Sequence, residues 1–320
     1  MKYYTCILVV AGLAGLAACE GREQVGAAGG GAPQGLLPET ASAELEQAVA
    51  DLVDPSALDI KLSPDGLDEI QSAEEVEIGG EEVVAALSAI APGEALVASS
   101  AGEEIWEGAT QTFTARLHHG MRLVEIGTAA ERQIEPTETD GIDDADVEGL
   151  LRDYLVALGA REQEIGEVDV RAFLSQARGE EDDYAGPIMM VGKAAFATRE
   201  IGGIPVVGNR FHVTVTPQGE LDRVKGRWTP IDYAHSVLSA GISEEEVVAR
   251  AVTALAGAGI DVARSPEITI RTAYRIVDDA TFGEIVVLAG FATANYHAEP
   301  GFDGDEGLPE SDLPVEFDLQ

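Results

Sequence analysis

Two periods of apolar residues alternate along this chain. Helical spacing appears in Glu44–Val53, with Leu45, Val49 and Leu52, and again in Glu81–Gly93, EEVVAALSAIAPG. It returns in Val147–Gly159, VEGLLRDYLVALG, and in Val247–Gly259, VVARAVTALAGAG. Each reads as a helix with one apolar stripe. Pro92 and Gly93 end the second, and Ser243 with Glu246 offers the fourth a capping box. Between these segments the period falls to two. Thr112–Ile126 reads as a hairpin with Gly120 near its turn. Glu167–Ala177, EVDVRAFLSQA, and Glu267–Val277, EITIRTAYRIV, alternate so that each buries one face of a sheet.

The most regular stretch is Gly203–Gly226, GIPVVGNRFHVTVTPQGELDRVKG. Gly202–Gly203 allows a bend or a close approach. Pro205 has no N–H, so it belongs at a strand start, an edge or a bulge. Phe211, Val213 and Val215 alternate with His212, Thr214 and Thr216, and Pro217-Gln218-Gly219 makes a turn. Strict alternation then places Leu221, Arg223 and Lys225 opposite Asp222, Val224 and Gly226.

Several segments recur one hundred positions apart. Glu167 matches Glu267, Val168 Ile268, Val170 Ile270 and Arg171 Arg271, and the two later helices stand at the same offset. Gly186–Thr198 and Gly283–Thr293 are related with a small gap. The expectation is a duplicated unit of helix, strand, turn and strand. The fold class expected is α+β, with repeated helix-on-antiparallel-sheet units. The divisions expected are a leader at 1–18, a Gly/Ala-rich tether at 19–39, an N-terminal α+β region at 40–137, repeats at 138–232 and 233–300, and an acidic segment at 301–320.

Residues 1–18 carry a short apolar run, too short for a permanent span. The ending Leu16-Ala17-Ala18-Cys19 resembles the lipobox of bacterial lipoproteins. That resemblance implies cleavage before Cys19 and acylation on it; an ordinary secretory signal is the other reading. Several acyl chains hold stably at a membrane where one is marginal. Glu20 after the cysteine leans toward the outer membrane, so an exported, membrane-anchored protein facing the periplasm or cell surface is expected. With Cys6 leaving and Cys19 lipidated, no thiol remains for disulfides, metals or catalysis.

Net charge is −38, from 20 basic against 58 acidic residues, and only Lys2, Lys61, Lys193 and Lys225 are lysines. Nucleic acid is therefore excluded as an expected partner. The acids are spread along the chain, as on a solvated surface. No two of the five histidines have HExxH spacing, and neither a GxSxG elbow nor a P-loop is present. Phe302–Gly307, FDGDEG, is too short a ligand series for an EF-hand. Trp106 and Trp228 are expected at a core or its rim, or as binding aromatics. No catalytic residue, cofactor or metal is expected.

The stretch around Gly203 resembles the PepSY and fungalysin/thermolysin propeptide group, including YpeB-type domains. Gly203, Ile204, Pro205, Val206, Gly208, Val213, Val215, Gly219 and Leu221 carry the match, and Ile242–Val252 resembles the acidic start of a PepSY helix. The resemblance implies small α+β units, PepSY- or cystatin-like in outline, that act as protease prosegments or stand-alone envelope modules. A non-catalytic module is then expected, binding an envelope or secreted protein such as a protease. Its candidate recognition hairpin is Gly203, Pro205, Gly208, Phe211 and Trp228, with Tyr233 nearby. A structural cell-surface lipoprotein without a specific ligand is the alternative.

Overall fold

The computed structural model describes residues 5–8, 43–73, 78–100, 105–129, 135–137, 141–178, 185–296 and 313–319. The expected lipid site Cys19, the tether, and the FDGDEG loop lie outside them. The chain groups into two units. The first holds 1–13, 65–236 and 276–285, and the second 14–64, 237–275 and 286–320. The segment 40–137, expected as one region, is divided between them: Ala43–Asp59 falls in the second unit and Gly80–Thr128 in the first. Both units are mixed α+β and dominated by strands.

In the first unit the strands are β1 (Thr5–Leu8), β3 (Val97–Ser100), β4 (Ile105–Ala109), β5 (Phe113–His118) and β6 (Leu123–Thr128). They continue with β7 (Ile165–Arg178), β8 (Ala185–Ile201), β9 (Ile204–Val215) and β10 (Leu221–Arg227). Their order across the sheet is β1-β7-β8-β9-β10-β6-β5-β4-β3, and the neighbours run antiparallel. Helices α3 (Gly80–Ile90) and α4 (Asp144–Ala157) pack on one face; α2 (Leu67–Gln71) is a short turn of helix. Val83 and Leu87 of α3 meet one core with Val147, Leu151 and Leu155 of α4 and with Phe113, Ile126, Ala195, Ala197, Phe211, Val213 and Val224. Burying one such large aliphatic chain contributes roughly 1.5–3 kcal/mol.

Local chemistry fixes both helix starts. The Glu82 carboxylate accepts the Gly79 N–H at 2.9 Å, satisfying a donor that α3 leaves orphaned. At α4 the device is non-local. Lys193 of β8 is 2% exposed, and its ammonium donates to the Ile142 carbonyl at 2.7 Å and to Asp144 Oδ1 at 2.6 Å. A lysine so buried holds its charge only when paired, and here it fastens the helix entry to the sheet.

The second unit contains β2 (Val53–Asp59), β11 (Glu267–Asp279, to Arg275), β12 (Gly283–Asn295, from Val286) and β13 (Leu313–Asp318), in the order β2-β11-β12-β13. β2 runs parallel to β11 and β13 antiparallel to β12. Helices α1 (Ala43–Ala50) and α5 (Glu244–Gly257) accompany it, with Val49, Val247, Ala251 and Leu255 buried. Ser243 Oγ accepts the Glu246 N–H at 3.3 Å, so half of the expected capping box forms. The Glu246 carboxylate instead takes the Arg250 guanidinium at 2.7 Å, four residues on. The segment expected as an acidic tail supplies β13. Its alternation of Val315 and Phe317 with Glu316 and Asp318 is the strand signal, and the Phe317 ring lies over Gly290 of the paired strand.

Candidate functional site

The face of the first unit's sheet opposite α3 and α4 is polar and patterned. In β5 the residues pointing to the helices, Phe113, Ala115 and Leu117, are buried, whereas Thr114 and Arg116 are exposed. The same division gives β9 Phe211, Val213 and Val215 inside and Arg210, His212 and Thr214 outside. Strand pairing then aligns the outer residues. Glu107, Arg116, Glu125, Lys225, His212 and Phe196 are each the directly opposed partner on the next strand. One row of side chains therefore crosses β4, β5, β6, β10, β9 and β8.

Charge alternates along that row. Arg116 Nη2 lies 2.7 Å from Glu107 Oε1, and Lys225 Nζ 2.6 Å from Glu125 Oε1. The His212 and Phe196 rings are tilted at 5.6 Å between centroids, and the Arg171 guanidinium sits 5.4 Å from the Phe196 centroid. Arg171 also pairs with Asp169 at 2.6 Å. The Lys225 hydrogen bond holds the Glu125 carboxyl below its ordinary range. Burial, and then the charges of Lys225, Arg223 and Arg210, push the His212 imidazole down. Arg210, Arg223 and Arg227 flank the row, exposed, with no carboxylate partner among the described residues. Thus Arg116, Arg171, Arg210, Arg223, Lys225 and Arg227 share one face in a chain with only 20 basic residues.

The candidate recognition hairpin separates into two classes. Gly202 and Gly203 form the turn between β8 and β9, both at positive φ (55° and 75°), the geometry of a two-residue hairpin turn. Gly203 and Gly208 are exposed and Pro205 is half-buried as the second residue of β9, where its missing N–H is tolerated. Phe211 and Trp228 are each 1% exposed and Tyr233 is 2% exposed. These three belong to the interior and cannot offer a contact surface. The facing of β10 also differs from strict alternation. A register shift between Leu221 and Arg223 puts Asp222 in a bulge, so Leu221 joins Val224 in the core while Arg223 and Lys225 face outward.

Trp228 and Tyr233 line a buried polar knot. Arg199, 1% exposed, donates from Nε to Glu164 Oε2 at 2.8 Å and from Nη2 to the Tyr233 hydroxyl at 2.7 Å; its Nη1 donates to the Thr229 carbonyl. Tyr233 in turn donates to Glu164 Oε1 at 2.6 Å, and burial raises its phenol above the ordinary value. The Trp228 ring lies 5.0 Å from the guanidinium carbon. Trp106 stands at the core rim, beside Gly80, Glu81 and Val84 of α3, which border a shallow depression. His118 ends β5 and His119 lies in the following turn. Among the described residues no cluster of His, Cys, Asp or Glu is arranged to hold a metal.

No family model matches the chain, and no curated protein matches it. Two solved structures are similar in outline. One is an uncharacterized protein from Eubacterium rectale, at 10% identity and a TM-score of 0.44, covering 86% of this chain and 94% of that one. The other is the Bacillus megaterium YpeB C-terminal domain, at 8% identity and a TM-score of 0.35, covering 75% of this chain and 98% of that one. The second name belongs to the group resembled by Gly203–Leu221, but at these TM-scores neither likeness carries an argument about fold or function.

Proposed function

We propose that the chain is a non-catalytic, lipid-anchored envelope protein that binds another protein or peptide. The observation that carries this reading is the sheet face opposite α3 and α4, which is exposed, charged and ordered into a cross-strand row. A face needed only for solubility has no requirement for arginines without counter-charges. Anchoring through Cys19 and the Gly/Ala-rich tether would let such a face meet partners close to the membrane. The proposed duplication is supported by element bounds: α4 spans Asp144–Ala157 and α5 Glu244–Gly257, and the short 3₁₀ turns are Glu162–Glu164 and Val262–Arg264.

The test has two arms. Cys19→Ala should abolish incorporation of an alkyne-labelled palmitate and release the protein from the membrane fraction. The mature chain, immobilised by its N-terminus in moderate salt, should capture one envelope or secreted protein saturably, with free mature chain competing. Retained palmitate in the variant sinks the anchor. No saturable capture by a folded protein would favour a structural scaffold.

A further inference from the structure

We propose that the outer face of the first unit's sheet docks an acidic polypeptide segment of a partner protein, centred on Arg210, Arg223, Arg227 and Phe196. This rests on reading the chain as a binding module and adds the chemistry of what is bound.

The argument is one of charge. The chain has nearly three acids for each base, so an exposed arginine would find a carboxylate on its own surface with little design. Arg116, Arg171 and Lys225 have done so. Among the described residues Arg210, Arg223 and Arg227 have not: strand pairing sets Arg227 beside Arg210, and Arg210 and Arg223, with Lys225, add to burial in pushing the His212 imidazole down. Like charges gathered on adjacent strands are destabilising. An external carboxylate group relieves that repulsion.

Three features favour a polypeptide over other anions. The unpaired cations are all arginine, whose planar fork matches a carboxylate in two parallel hydrogen bonds. Glu107, Glu125 and Asp169 stand among the cations, so a continuous sheet of negative charge, such as an anionic bilayer, would meet like charge at those three positions. Phe196, half-buried under Arg171, offers an apolar seat beside the cations for one side chain of the segment.

The probe is a short fluorescein-labelled oligo-glutamate peptide with one central leucine, titrated with the full mature chain and read by anisotropy. Saturable binding is expected that weakens as NaCl rises. The combined Arg210→Glu, Arg223→Glu and Arg227→Glu variant should weaken it about tenfold or more. Arg152→Glu, on α4, should leave it unchanged, with thermal melts checking the fold. Should the triple variant fail to fold, the three single Gln substitutions replace it, each weakening the peptide by a smaller step. Absent peptide binding, or binding indifferent to these arginines, overturns the proposal; so does binding to phosphatidylglycerol vesicles in place of the peptide. A partner captured equally well by wild-type and arginine variants would leave the binding-module reading standing while this face is discarded. With neither peptide nor partner bound, both readings fall.

Discussion

Arg199 and Glu164 meet in the interior of the first unit, Nε to Oε2 at 2.8 Å, with Arg199 1% and Glu164 6% exposed. They join β8 to the 3₁₀ turn before β7, and through Tyr233 they hold the segment after β10. Removing one member strands a buried charge. Arg199→Ala should therefore cost about 3–5 kcal/mol, and Tyr233→Phe about 1–3 kcal/mol. Chemical denaturation of the singles and the double variant measures their coupling, and an additive pair would show that the knot is not one unit.

Trp228 belongs with that knot. Trp228→Ala should destabilise by about 3–5 kcal/mol, as a large buried ring does, without a selective effect on partner binding in whatever fraction stays folded. The indole emission should be blue-shifted and resist quenching by iodide. An exposed, readily quenched Trp228 would return it to the surface candidates.

The turn between β8 and β9 depends on two glycines at positive φ. An alanine at Gly202 or Gly203 meets the left-handed penalty of about 1–2 kcal/mol. Each single substitution should lower the melting temperature while leaving peptide binding by the folded protein intact. Unchanged stability would mean that the turn is not held in this form.

His212 sets a direction for pH dependence. Its imidazole is held below the ordinary value by burial and by Lys225, Arg223 and Arg210. The unfolded chain then takes up the proton first, so this contribution is full above pH 6.5 and is lost as pH falls toward the folded value. Glu125 opposes this only in part. His212→Gln should gain stability relative to wild type between pH 7.5 and pH 5. A difference independent of pH over that range would remove His212 as the source.

Glu125 is the carboxylate that neutralises Lys225, and both are partly exposed. Glu125→Gln should cost under about 1 kcal/mol, yet it adds one unit of positive charge to the face. Tighter binding of the oligo-glutamate peptide is expected. Weaker binding would mean that Glu125 organises the site through Lys225 and not merely by its charge.

Much of the local structure was legible in the sequence. The 3.6 and 2 periods placed α3, α4, α5 and the β5–β6, β7–β8 and β9–β10 pairs, because those signals lie within one segment. Two things were not legible. The Asp222 bulge turned Leu221 inward, and a bulge leaves no period to read. The row from Glu107 to Phe196 depends on β6 lying beside β10, a pairing of segments far apart in the chain. Trp228 takes the core place expected of its residue type, but nearness to the hairpin is no guide to a contact role for Trp228 or Tyr233, because Arg199 and Glu164 hold both inside. Nothing local marks a distant arginine as a buried partner.

That β6–β10 pairing, Val124 against Gly226 and Ile126 against Val224, has a temporal consequence. The N-terminal meander emerges from the ribosome long before β10, and closing so large a loop costs entropy that only the completed pairing returns. Until then Glu125 has no Lys225, and the row is broken between β6 and β10. The full row is absent from any chain that lacks either side of that junction, so a partner that reads its whole length greets only the finished molecule.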